Sequence, residues 1–214
     1  MNDERTKVKI CGITNLEDAR FASGAMADYL GFIFYEGSPR HVTPAEAGAI
    51  RNWIEGVPCV GVFVNQPMDD VNMIARQTGV DLVQLHGTES PEYCTLVDKP
   101  VIKVIHVEEG ATAEELAGEA ERYREAADYL LFDTKMEGQW GGTGRTFDWS
   151  LLEEASGGLP WFLAGGLTPQ NVAEAVRTAR PAAVDVNSGV EAEGRPGVKD
   201  YDKIDELMNQ MRSL

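Results

Sequence analysis

Cys11 and Asp133 stand where acid–base chemistry can be done. Cys11 lies in the run Val8-Lys9-Ile10-Cys11-Gly12-Ile13-Thr14, which reads as a buried strand that stops on a glycine and leads into a helix. Asp133 closes a second apolar run, Phe132-Asp133-Thr134-Lys135. Free thiols titrate near about 8.5 and free carboxyls near about 4, so at neutral pH both resting forms are wrong for a thiolate base and a carboxylic acid. A site using them must lower the thiol with positive donors and raise the acid by burial or carboxylate neighbours. Strand side chains alternate faces, which puts Lys9 beside Cys11 as a source of positive potential. Asp185 is a like-charge neighbour for Asp133 if both point inward. Taken singly, Cys11 fits a core position as well as a catalytic one, and Asp133 fits a cap on the segment after it.

Other residues extend the set. Arg40, in Glu36-Gly37-Ser38-Pro39-Arg40, can grip a carboxylate in bidentate fashion; alone it reads equally as a surface arginine. Gly165-Gly166 and Asn187-Ser188-Gly189 suit backbone amides approaching a phosphate, with the Ser188 hydroxyl adding a donor. Either stretch alone is a tight turn, but the two together favour the anion. His86 and His106, with Asp133 and Asp185, offer a competing divalent-metal reading. His106 alternates with Lys103 and Ile105, so alternation alone leaves its direction open. Cys59 and Cys94 read as small core residues. The three cysteines show no Cys-x-x-Cys spacing, which argues against a disulfide framework or a structural zinc site.

The elements that must position these groups alternate. Strand-like apolar runs fall at 7–13, 29–34, 59–64, 82–86, 101–107, 129–134, 161–164 and 183–187, each followed by a helical pattern. Several runs are apolar nearly throughout, as strands covered on both faces are. Thr43-Pro44-Ala45-Glu46 and Thr112-Ala113-Glu114-Glu115 carry capping boxes, and Thr168-Pro169 repeats the threonine–proline helix start. The stripes Val71/Ile74/Ala75/Thr78, Val172/Ala175/Val176/Ala179 and Ile204/Leu207/Met208/Met211 follow helical spacing. Eight strand–helix repeats predict an α/β fold, a parallel eight-stranded (β/α)8 TIM barrel occupying all 214 residues as one domain. In that fold Cys11, Arg40, His86, Asp133, Gly165, Gly166, Ser188 and Gly189 fall at or just after the carboxyl ends of strands, and anions sit beside the last two loops. No Gly-x-Gly-x-x-Gly follows the first strand and no Gly-x-x-x-x-Gly-Lys-Ser/Thr is present, so dinucleotide and nucleoside-triphosphate readings are weak.

The formal net charge of −16 argues against nucleic acid or an anionic membrane as partner. An anionic substrate must be drawn in by local donors against that field. No apolar run approaches the roughly 18 residues of a membrane span. The opening Met-Asn-Asp-Glu-Arg-Thr-Lys lacks a signal peptide's apolar stretch, and a cytoplasmic protein is expected.

Together the stretches resemble the phosphoribosylanthranilate isomerases of tryptophan biosynthesis. The likeness rests on Lys9-Ile10-Cys11-Gly12-Ile13-Thr14, Gly31-Phe32-Ile33-Phe34 with Ser38-Pro39-Arg40, and Gln84-Leu85-His86-Gly87. It continues through Asp133, Gly141-Gly142-Thr143-Gly144 with Phe147-Asp148-Trp149, and Leu163-Ala164-Gly165-Gly166-Leu167. It closes with Asp185-Val186-Asn187-Ser188-Gly189-Val190-Glu191 and Pro196-Gly197-Val198-Lys199-Asp200, in the family's order. The resemblance implies an Amadori rearrangement of N-(5-phosphoribosyl)anthranilate to 1-(2-carboxyphenylamino)-1-deoxyribulose 5-phosphate. It implies that Asp133 protonates the ribose ring oxygen and Cys11 removes the C2 proton of the Schiff base. Arg40 would hold the anthranilate carboxylate; Gly166, Ser188 and Gly189 the phosphate; and Gly165, His86 and Asp185 would also touch substrate. No cofactor or metal is implied, and the family contains monomers and dimers. Asn187 departs from the family's usual serine but keeps a hydrogen-bonding side chain. Rival readings are a metal-dependent sugar-phosphate epimerase, which a chelator would inactivate, and a non-catalytic phosphometabolite-binding barrel.

Overall fold

A computed structural model describes residues 5–108, 110–133 and 149–214. Its strands are β1 (Lys7–Ile10), β2 (Tyr29–Ile33), β3 (Cys59–Phe63), β4 (Leu82–Leu85), β5 (Val101–His106), β6 (Tyr129–Asp133), β7 (Trp161–Ala164) and β8 (Ala183–Val186). The helices between and after them are α1 (Leu16–Gly24), α2 (Pro44–Arg51), α3 (Met68–Thr78), α4 (Pro91–Cys94), α5 (Ala113–Arg122), α6 (Ser150–Ala155), α7 (Val172–Ala179) and α8 (Tyr201–Arg212). The strands close on themselves in sequence order, and the pairing is parallel throughout, including β1 with β8. This is the (β/α)8 barrel that the alternation of patterns predicts. No helix among the described residues is long and apolar enough to cross a membrane.

Alternation along each strand sorts the core into two layers. Tyr29, Val60, Leu82, Ile102, Val104, Leu131, Phe162 and Ala183 fill the inside of the barrel. The opposite parity, including Val8, Ile10, Leu30, Phe32, Phe63, Leu130 and Leu163, packs under the helices. Cys11, Ile33 and Val62 form a small cluster of their own, on the same parity as the inner set and further toward the strands' carboxyl ends. The interior is thus filled below and left to polar groups above.

Both capping boxes form, at Thr43 with Glu46 and at Thr112 with Glu115. Three local expectations differ. The first strand ends at Ile10 because Gly12 turns the chain at φ 72°. In α3, Ile74 is only half-buried and Asn72 takes a buried place, donating to the Leu96 carbonyl at 2.9 Å and accepting from the Asp98 amide at 2.9 Å. Thr168-Pro169 does not open a helix. Asn171 folds back to accept from the Thr168 amide at 2.8 Å, and α7 starts at Val172.

At the amino-terminal end of the barrel an aspartate staples three strand pairs. Asp28, Asp81 and Asp128 each precede an even-numbered strand. Their carboxylates accept from the backbone amides of Val8, Cys59 and Val101 on the preceding strand, each at 2.8 Å. Their own amides return the bond to the carbonyls of the same three residues at 2.8–3.0 Å. Hydrogen bonds to a charged acceptor contribute about 1.5–3 kcal/mol. We expect Asp28→Ala to lower the unfolding free energy in urea by about that amount while leaving kcat/KM unchanged, since stability and chemistry occupy opposite ends of such barrels. An unchanged urea midpoint would remove the staple's role.

Candidate active site

On the β8–β1–β2 side, Cys11 follows β1 immediately and shares the inward parity of Lys9. Its amide donates to the Val186 carbonyl at 2.9 Å, continuing the pairing with β8. Gly31 on β2 leaves room for the sulfur, because a Cβ there would stand 2.8 Å from Sγ. Beneath the thiol, Lys9 is fully buried and its ammonium donates to both carboxylate oxygens of Asp185 at 2.9 Å. Burial by itself pulls the Lys9 pKa down, but the charges of Asp185 and Cys11 and their hydrogen bonds outweigh it and hold Lys9 above its ordinary value.

The thiol does not follow the expectation set by its cationic neighbours. Burial raises the Cys11 pKa above its ordinary value of 9.0, and the Asp185 charge adds to the rise; Lys9 and Lys199 pull it down without prevailing. Burial leads, and the charges beside the sulfur oppose one another. Asp185, expected beside Asp133 as a carboxylate neighbour, is instead ion-paired with Lys9, so the charge that raises the thiol stands against the one that lowers it. Cys59 and Cys94 are buried core thiols as expected, pushed by burial to about 12 and about 11.

Above the thiol the loops after β1, β2 and β8 lock together. Arg40 donates through Nε and Nη2 to Glu191 at 2.7 and 2.6 Å. The Glu191 carboxylate also accepts from the Gly197 amide at 3.0 Å and Lys199 Nζ at 3.4 Å. Lys199 also reaches the Asn187 side chain at 3.1 Å. Burial works to raise the Glu191 carboxyl, yet the Arg40 hydrogen bond, the Lys199 charge and the Gly197 amide hold it below its ordinary value. Burial lowers Lys199. Gly12 is required here twice, by its positive φ and because a Cβ would meet Asn187 Oδ1 at 2.6 Å and Arg40 Cδ at 2.9 Å. Glu191 and Lys199 were within motifs readable in the sequence, but nothing there named Arg40 as their partner.

On the β4–β5–β6 side, His106 pairs in register with Asp133. His86 Nε2 lies 3.5 Å from Asp133 Oδ2, and its Nδ1 meets Gln84 Nε2 at 3.1 Å. The direction of His106, open from alternation, is toward these groups: its Nε2 reaches the His86 carbonyl at 3.0 Å, and its ring meets the His86 ring edge-on at 5.1 Å. One ligand atom from each of His86, His106 and Asp133 lies within 4.8 Å of the others. Asp185, the fourth member of the competing metal reading, is committed to Lys9. Behind this half, Lys103 is buried and donates to Glu89 at 2.8 Å and to the Gly87 carbonyl at 2.6 Å. Glu89 in turn accepts from the Asn65 amide at 2.8 Å. That buried pair, unforeseen from sequence, pins the turn that carries His86.

Between the halves lie the loops after β7 and β8. Gly165 and Gly166 adopt φ of 95° and 62°. A Cβ on Gly189 would collide with the Leu167 carbonyl, so the two loops touch only because residue 189 has no side chain. Ser188 is exposed beside them. The glycine-rich stretch 141–144, with Thr134 and residues 147 and 148, lies outside the described residues.

Known proteins match this chain in sequence and in fold along nearly its whole length. A family model described as N-(5'-phosphoribosyl)anthranilate (PRA) isomerase matches residues 8–210. A relative of that name from Citrifermentans bemidjiense is 50% identical over 210 residues, covering 98% of each chain. The phosphoribosyl anthranilate isomerase of Thermotoga maritima superposes with a TM-score of 0.86 at 40% identity, over 98% of this chain and all of that one; that enzyme is dimeric. Another isomerase structure, 37% identical with a TM-score of 0.83 over 98% of this chain and all of its own, holds reduced 1-(o-carboxyphenylamino)-1-deoxyribulose 5-phosphate. Matched end to end in sequence and in fold, the chain belongs to the phosphoribosylanthranilate isomerase family, enzymes that interconvert an aldose and a ketose in tryptophan biosynthesis.

Proposed function

We propose that Asp133 is the general acid and Cys11 the general base of this isomerisation. Asp133 gives its proton to the ribose ring oxygen as the C1–O bond breaks, and the anthranilate nitrogen supplies the electron pair that makes the Schiff base. Cys11, as thiolate, then takes the C2 proton, and the electrons of that bond move to neutralise the iminium. The enolamine so formed becomes the ketone by proton shifts, so protons move and no electron acceptor is needed. The observation that carries this reading is the placement of the two groups at the carboxyl ends of β1 and β6 in one closed barrel, both on inward parity.

The substrate's two anionic ends suit the remaining groups. Arg40 keeps its outer guanidinium nitrogen, Nη1, clear of the bonds to Glu191 and holds the anthranilate carboxylate. Gly165, Gly166, Ser188 and Gly189 receive the phosphate through backbone amides and a hydroxyl. His86 contacts the substrate beside Asp133, and Asp185 acts beneath it by fixing Lys9 under the thiol. The attraction is local, which is how a chain of net charge −16 takes an anion. The proposed partner is this small phosphorylated metabolite, with the protein itself a monomer or a homodimer. Three free cysteines fit a reducing cytoplasm.

Turnover is followed by the loss of anthranilate fluorescence. Cys11→Ser and Asp133→Asn should each lower kcat by at least about 10²-fold; near-native turnover in either withdraws that role. Ser188→Asp should mainly raise KM by repelling the phosphate, and an unchanged KM moves the anion site elsewhere. In the free enzyme the base must be deprotonated, so kcat/KM should climb with pH along a limb set by the raised Cys11 pKa. Asp185 contributes to that rise, so Asp185→Asn should move the limb to lower pH; a limb that stays put, or moves up, contradicts the assignment of Cys11 as the group observed.

A further inference from the structure

His86, His106 and Asp133 resemble a metal-ligand set more than an accidental cluster. Two tetrahedral ligands held about 2.0–2.1 Å from a zinc ion stand about 3.4 Å apart, and His86 Nε2 lies 3.5 Å from Asp133 Oδ2. The outer nitrogens are already oriented. His106 Nε2 is engaged by the His86 carbonyl at 3.0 Å, which leaves Nδ1 as its ligand atom. His86 Nδ1 faces the Gln84 amide at 3.1 Å. Gln84 is 1% exposed, and its Oε1 is buried with no hydrogen-bond partner among the described residues. Turning that amide over puts Oε1 against Nδ1–H of His86 and directs the Nε2 lone pair at Asp133, with the amide nitrogen taking the position where Oε1 has no partner. Carbonyl and amide oxygens behind ligating imidazoles are what fix ring orientation and tautomer in metal sites.

We propose that these three side chains bind a divalent transition-metal cation of the zinc or cobalt type, and that the bound cation inhibits the isomerase by occupying the Asp133 carboxylate. Two imidazoles and one carboxylate select such ions over magnesium or calcium, which prefer all-oxygen shells. The inhibitory half of the proposal rests on Asp133 being the general acid; the binding half does not. His106 is exposed and takes no part in the proposed acid–base steps, which makes it the position to change.

Metal-stripped enzyme titrated with Co²⁺ should develop visible absorption saturating at one equivalent. His106→Ala should weaken that binding by at least about tenfold, and so should His106→Gln, which keeps a donor for the His86 carbonyl but loses the imidazole. Wild type and both variants titrating alike would overturn the site, leaving only scattered binding to acidic surface groups. In the activity arm, Zn²⁺ should abolish wild-type turnover, a chelator should restore it, and millimolar Mg²⁺ should do nothing; both His106 variants should need at least about tenfold more Zn²⁺. If Co²⁺ binds in a His106-dependent way while turnover persists at saturation, the inhibition fails and the acid role of Asp133 fails with it, whereas the cation site stands.

Discussion

Closure of the barrel between its last and first strands is the constraint on which the site depends, and a buried ion pair fixes it. Lys9 and Asp185 face each other across β8 and β1 in register, with Lys9 wholly removed from water. Removing both charges from solvent costs several kcal/mol per ion, and mutual attraction offsets it only when geometry is good. Here both carboxylate oxygens accept at 2.9 Å. A slip of one residue would turn one member of the pair to the outer layer and strand the other unpaired. The pair therefore selects a single register, and that register sets Cys11 just beyond the Ile10–Val186 pair, with its amide on the Val186 carbonyl. The loops locked by Arg40, Glu191 and Lys199 inherit their positions from it.

The same pairing explains why cations near the thiol do not make it a resting thiolate. Each of Lys9, Arg40 and Lys199 has a carboxylate close by, Asp185 for the first and Glu191 for the other two. The charges beside the sulfur oppose one another, and burial leads the rise of the Cys11 pKa. With the proposed roles, the order of events supplies what the resting site lacks. Ring opening leaves a positively charged Schiff base at C1, next to the carbon whose proton Cys11 must remove. A cation at that distance favours the thiolate over the thiol. Acid therefore precedes base for an electrostatic reason.

Most of the architecture was legible in the sequence because it is written in period and punctuation. Apolar runs of strand length, helix caps such as Thr43 and Thr112, and glycine stops are local signals, and the barrel follows from their alternation. What escaped depended on partners far apart in the chain. Asp28, Asp81 and Asp128 carry no local signal of their role, because each bonds an amide at least twenty residues earlier. Asp185 was a like-charge neighbour for Asp133 only if both pointed inward, and parity cannot say whether its neighbour is Asp133 or Lys9, which it meets. Thr168-Pro169 carried a helix-start signature that Asn171 overrode with a local side-chain bond. Arg40 was identifiable as a carboxylate binder, and the carboxylate that it already holds, Glu191, was 151 residues away.

The mouth thus divides into two chemically distinct halves. One half, on β8, β1 and β2, pairs every cation with a carboxylate and surrounds a thiol. The other, on β4, β5 and β6, sets two imidazoles beside one carboxylate, backed by the buried Lys103–Glu89 pair that fixes the His86 turn. Under the proposed roles Asp133 is the proton donor, and His86 Nε2 stands 3.5 Å from its carboxylate. That placement sets a nitrogen near a carboxylate, which is also the first half of a metal site. In this half of the mouth, the proposed susceptibility to a transition metal follows from setting a carboxylate beside an imidazole, with His106 as the third ligand.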